Sequence, residues 1–148
     1  MTDSRSIVVI TADGPEHIYV TNVICAHFDV AAVFVLEPSP SNNRLNVWRR
    51  GIGTIMDKLM WRALLFALND RKARKQALHS VLGHESLAFA QSGRVVRVRA
   101  DEREKLTASI TDIAPDILAV YGTGKIPNEI LNLADQVALN MHTGISPY

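Results

Sequence analysis

Asn140 and His142 straddle the end of the run Val137–Met141 (VALNM), two residues apart. An extended chain alternates its side chains, so both project to the same face. A neutral amide beside an imidazole suits acyl transfer. The asparagine can hydrogen-bond a carbonyl oxygen, and the imidazole can donate to the oxyanion that develops. Gly144 and Pro147 then force an irregular loop. From spacing alone a second reading stays open: an ordinary polar strand end whose side chains cap the backbone.

Two further places invite the same scrutiny, because ligands of parallel α/β sheets bind beyond the carboxyl ends of the strands. Gly122-Thr123-Gly124-Lys125 follows the apolar run Asp116–Tyr121, and Ala12-Asp13-Gly14-Pro15 follows Ser6–Thr11. The first is not a nucleotide phosphate loop. Ala119 stands where the first glycine belongs, and Ile126 replaces the required serine or threonine. In the second, Asp13 would repel an anion, so it reads first as a helix N-cap and only second as part of a phosphate site. Gly51-Ile52-Gly53 lacks both a preceding strand and the third glycine of a dinucleotide fingerprint, with Met56 in that glycine's place. His79, His84 and Glu85 miss the one-face helical spacing of metal ligands, and no metal is expected. His17 and His27 are unclustered and read as structural or exposed. Trp48 and Trp61 are too far apart in sequence to read as a stacking platform.

The elements that must position these residues follow from the apolar pattern. Ser6–Thr11, Val30–Leu36, Arg94–Val98, Asp116–Tyr121 and Val137–Met141 read as strands. Val30–Leu36 is apolar without alternation, as in strands covered on both faces. Glu16–Phe28 reads as a helix with Ile18, Val20, Val23 and Ile24 as its apolar positions and Pro15 in its first turn. Asp101–Ile113 reads as a second helix ended by Pro115, and Pro127–Leu133 as a short third. After the break at Pro38–Asn43, Ile52, Ile55, Met56, Leu59, Ala63, Phe66 and Ala67 fall on one helical face. Arg49, Arg50, Lys58, Arg62, Arg71, Lys72, Arg74 and Lys75 decorate that segment. The expected architecture is a single α/β domain over 1–148, three-layer and Rossmann-like. Its sheet is mostly parallel with helices on both faces, and a basic helical segment is inserted at about 45–78.

The segment from Asp116 onward resembles the folate-dependent formyltransferase family, which includes methionyl-tRNA, glycinamide ribonucleotide and sugar N-formyltransferases. Pro115–Gly122, then Ile126-Pro127, then Leu139-Asn140-Met141-His142-Thr143-Gly144-Ile145-Ser146-Pro147 carry the likeness. The family's hallmark, Asn-x-His-x-Ser-x-Leu-Pro, is matched at Asn140, His142 and Pro147. Gly144 and Ser146 depart from it. Earlier regions agree only in strand–helix order. The resemblance implies that Asn140 and His142 are catalytic and that 10-formyltetrahydrofolate is the formyl donor. It also implies that Tyr121, Gly122, Gly124, Ile126 and Pro127 bind that cofactor through backbone groups, and that Asp13 and Gly14 occupy the acceptor site. The family's third catalytic residue, an aspartate, follows the motif further along than Tyr148, so the chain reads as the N-terminal portion of such a domain, incomplete for the reaction by itself.

Composition bounds the alternatives. The net charge of +1 gives no global bias toward nucleic acid, so an RNA- or nucleotide-binding module would rest on Arg49–Lys75 alone. A formyltetrahydrofolate hydrolase, with water replacing the amine, uses the same motif. The single cysteine, Cys25, lies in an apolar stretch, reads as a buried thiol and suits a reducing cytoplasm. The segment Ile52–Leu68 holds Asp57, Lys58 and Arg62 and is too charged to span a bilayer. The expected partners are a small or tRNA-linked amine and, in an assembly, a second copy of the chain.

Overall fold

The five apolar runs pair into one sheet. The computed structural model describes residues 5–39, 60, 63 and 70–141. Its strands are β1 (Ile7–Thr11), β2 (Val30–Glu37), β3 (Val95–Arg99), β4 (Ile117–Tyr121) and β5 (Val137–Met141). All neighbours are parallel, in the order β3-β2-β1-β4-β5. The described helices are α1 (Pro15–His27), α2 (Asp70–Leu82), α3 (Arg103–Ile113) and α4 (Asn128–Leu131). This is the expected α/β, Rossmann-like arrangement.

The residue pattern explains why the central strands are apolar throughout. One face of the sheet presents Val8, Ile10, Phe34, Val98, Leu118 and Val120 to Leu106 and Ile110 of α3 and Ile130 of α4. The other presents Ile7, Val9, Val33, Val35 and Ala119 to Ile24 and Cys25 of α1 and to Phe89. Every residue of β1 is buried. Each large aliphatic side chain removed from water in this way contributes about 1.5–3 kcal/mol. At the amino end, Asp116 joins three strands: Ser6 N–H donates to its Oδ2 at 2.7 Å and the Gln136 amide donates to its Oδ1 at 3.1 Å.

Several expected boundaries move for local reasons. The helix expected from Asp101 starts at Arg103, because the Glu102 carboxylate accepts from Arg99 N–H (3.0 Å) and closes a turn there. It ends at Ile113, as expected, with Ala114 as its left-handed cap (φ 47°) one residue before Pro115. The helix expected to run to Leu133 is regular only through Leu131. In α1 the buried stripe is Ile18, Thr21 and Asn22, whereas Val23 is 39% exposed. Asn22 is buried because its amide is used at both ends. It donates to Ala88 O and accepts from Ala90 N–H, each at 2.8 Å, and so ties the 84–94 stretch to the helix. Of the basic segment, Asp70–Leu82 is helical. The helical face expected over Ile52–Ala67, with Arg49, Arg50, Lys58 and Arg62, lies outside the described residues apart from Ala63. Among the described residues no helix is long and apolar enough to cross a membrane.

Candidate functional site

The chain leaves β1 toward β2 and β3, then returns to place β4 on the other side of β1. The crevice beyond β1 and β4 is therefore the switch point, where open α/β sheets bind ligands. A cavity of about 390 Å³ opens there, on the α3–α4 face. It falls within the roughly 300–1,000 Å³ usual for ligand pockets. Ala12, Leu36, Leu106 and Ile130 form its apolar base, and the 122–127 loop forms one wall. Arg99, Arg103 and Lys125 reach its rim, with Glu37 as the one carboxylate among the described residues. Arg99 is partly engaged, since its Nε donates to Asp101 Oδ1 at 3.1 Å. That hydrogen bond holds the Asp101 carboxyl below the usual aspartate range.

The expected cofactor residues divide between the two faces. Gly122, Gly124, Ile126 and Pro127 line the cavity. Tyr121 does not. It belongs to the row of Thr11 and Met141, its side chain is 7% exposed, and its ring meets that of His17 edge-on at 5.1 Å. Gly122 takes φ 68°, a left-handed turn that glycine adopts without steric cost. This lets the loop leave β4 and fold over the outlet.

Asn140 pairs in register with Val120, a residue of the α3–α4 face. It therefore stands on the face that carries the cavity, one strand over and near the carboxyl end. It is exposed, as are Val137, Ala138 and Leu139. His142 lies outside the described residues.

Asp13 and Gly14 line a second cavity of about 400 Å³ at the start of α1, with Pro15, Ile18, His79, Ser86 and Leu87 around it. The helix N-cap role read for Asp13 does not hold. Gly14 is the N-cap residue and no side chain caps the helix. The Asp13 carboxylate instead accepts from Arg97 at 2.8 Å, and Arg97 also reaches Glu37 at 3.3 Å. Both partners of the closer pair are about half exposed, so its worth is on the order of 0–1 kcal/mol. Its effect is on charge: the carboxylate that would repel an anion beside α1 is compensated. Across the cavity Ser86 donates to Gly83 O at 2.8 Å, which uses its only proton. The His79 Nδ1, 2.8 Å from Ser86 Oγ, is then placed to donate to that oxygen.

His17 is the residue that sequence reading missed. A Cβ built on Gly122 would lie 1.9 Å from His17 Cε1, 2.2 Å from Nδ1 and 2.8 Å from Nε2. The imidazole edge thus fills the space that glycine leaves open. His17 Nδ1, Thr11 Oγ1 and Thr21 Oγ1 are buried without a hydrogen-bond partner, joined among the described residues only by Gln91 Oε1. Nothing in the isolated sequence links His17 to Gly122, which is far along the chain. The link follows from the adjacency of β1 and β4, which brings the first turn of α1 beside the loop after β4. Burial moves the Cys25 thiol upward from its ordinary range, with Arg94 opposing. Cys25 packs against the α1-face cluster, away from the cavity.

Compared with known proteins, the chain matches no protein-family model and no curated protein sequence.

Proposed function

We propose that this chain carries the donor-binding part of a formyl-transfer site, which moves a one-carbon unit from 10-formyltetrahydrofolate to an amine. The observation that carries this reading is a juxtaposition. The Gly122–Pro127 loop walls a cavity at the sheet's outlet, and Asn140, the first residue of the Asn-x-His pair, stands on that same face. The loop offers main-chain N–H and C=O groups to the flat edge of a pterin, while Leu36, Leu106 and Ile130 cover apolar ring surface. Arg103 and Lys125 at the rim suit carboxylates on the remainder of the donor.

The transfer forms a bond between the amine nitrogen and the formyl carbon and breaks the bond from that carbon to N10 of the folate. Negative charge gathers on the formyl oxygen as the amine adds. The Asn140 amide donates to that oxygen, and the His142 imidazole does the same. The proton lost by the amine ends on the departing folate nitrogen. The acceptor class that fits is a sugar nucleotide, an aminoacyl-tRNA or a comparable amine, bound toward Asp13 and Gly14. A reducing cytoplasm is the compartment we assign, and an assembly of like chains is compatible with it.

The test has two arms, both run on the protein. Binding of 5-formyltetrahydrofolate, a stable reduced folate, is expected and is unaffected by Asn140→Ala. Transfer to an amine is expected to fall about 10²–10³-fold in that variant, the usual effect of losing one oxyanion donor. Failure of the wild-type protein to bind the folate ends the proposal.

A further inference from the structure

We propose that His17 is a positioning residue for the folate loop, its imidazole nitrogens hydrogen-bonding the Gly122 turn as the loop closes on its ligand. The inference rests on the reading above and adds to it a residue outside the motif.

Three observations converge. The imidazole edge occupies the space beside Gly122, with Nδ1 and Nε2 on either side of the nearest carbon. Tyr121, the residue before Gly122, holds the ring in edge contact. The Nδ1 atom is buried and has no partner. Burial of an unpaired nitrogen opposes folding, and an apolar ring of similar size would fill the same space without that penalty. The imidazole is therefore better suited to a second state than to the unliganded one. Gly122 provides a route to that state. Free of a Cβ, it can rotate either of its peptide groups, and the imidazole edge lies in the space its missing side chain would take. Hydrogen bonds in unliganded sites are often open and tighten when the ligand arrives.

The geometry also limits the role. His17 does not line the cavity walled by the 122–127 loop, so it acts through the loop and not on the formyl group.

The experiment compares His17→Phe, His17→Gln and wild type by thermal midpoint and by affinity for 5-formyltetrahydrofolate. His17→Phe keeps the ring and removes the nitrogens. It is expected to hold or raise the thermal midpoint while weakening folate about tenfold, the scale of one lost hydrogen bond. His17→Gln, which keeps a polar group at that reach, is expected to stay within about threefold of wild type. A purely structural residue would show the reverse order, with affinity following stability. If His17→Phe fails to fold, His17→Ala takes its place in the binding comparison with the same expected loss. Folate binding by wild type and equally by the nitrogen-free variant overturns the role of His17 alone. No folate binding by wild type overturns the functional reading, and this inference with it.

Discussion

The two edges of the sheet are built in opposite ways. β3 carries Arg97 and Arg99, with Arg94 just before it. These pair with Asp29, Asp13, Glu37 and Asp101. Charge on an edge strand discourages further pairing, because a neighbour would have to desolvate it. β5 presents Val137 and Leu139 to solvent at 41% and 49%, and among the described residues it pairs with β4 alone. Yet β5 is the edge that bears Asn140. Backbone register with β4 is enough to bring the amide level with Val120 on the cavity face. The lesson is that pairing fixes where a residue stands along the sheet, and packing fixes what its side chain meets. β3 has both, whereas β5 among the described residues has chiefly the first.

The contrast can be broken most directly with matched leucines on adjacent strands. Leu118 of β4 is fully buried and Leu139 of β5 is half exposed. Leu118→Ala is expected to cost about 2–5 kcal/mol in denaturant unfolding. Leu139→Ala is expected to stay within about 0.5 kcal/mol. An equal loss at Leu139 would mean that the β5 face is covered in solution and that the edge comparison is mistaken.

Gly122→Ala sharpens the comparison at the strand that joins both halves. The added methyl meets His17, and the turn has positive φ. Left-handed strain and overpacking together are expected to cost about 2–4 kcal/mol. Pairing it with His17→Ala, which makes room for the methyl, should recover the overpacking part and leave the strain. A double variant no more stable than Gly122→Ala would show that the ring and the turn are not in contact.

The smallest expected effect is at the charged edge. The Arg99 hydrogen bond lowers the Asp101 carboxyl below its unfolded value. A lowered carboxyl contributes stability above the ordinary aspartate range and loses it as pH falls through the folded value. Asp101→Asn should therefore lower the thermal midpoint slightly at neutral pH and not at all in strong acid. A difference that persists below the aspartate range would assign the effect to something other than charge.

Much of the architecture was legible from residue order. Apolar runs without alternation such as Val30–Leu36 read as strands covered on both faces, and β2 is buried through Ala32–Val35. Glycine and proline placed the turns at Gly14-Pro15 and Gly122 near their true positions, because proline fixes φ and glycine takes the left-handed φ of 68° at Gly122 without steric cost. The face of α1 was less legible. Val20 and Val23 were read as its inner positions, but Thr21 and Asn22 are buried, since Asn22 bonds the backbone of Ala88 and Ala90. Hydropathy cannot anticipate a polar residue whose partner lies far along the chain.

The sequence by itself determined the strands, the turn positions and the local chemistry of the 122–127 loop, because each depends on neighbours within a few residues. Tertiary structure alone decided the order β3-β2-β1-β4, and from it came the cavity beyond the strands, the Asp13–Arg97 pair across β2 and the contact between His17 and Gly122. The physical reason is the range of the interactions. Propensity and pattern act along the chain, whereas strand order is chosen by which apolar faces can be covered together, a property of the whole sheet.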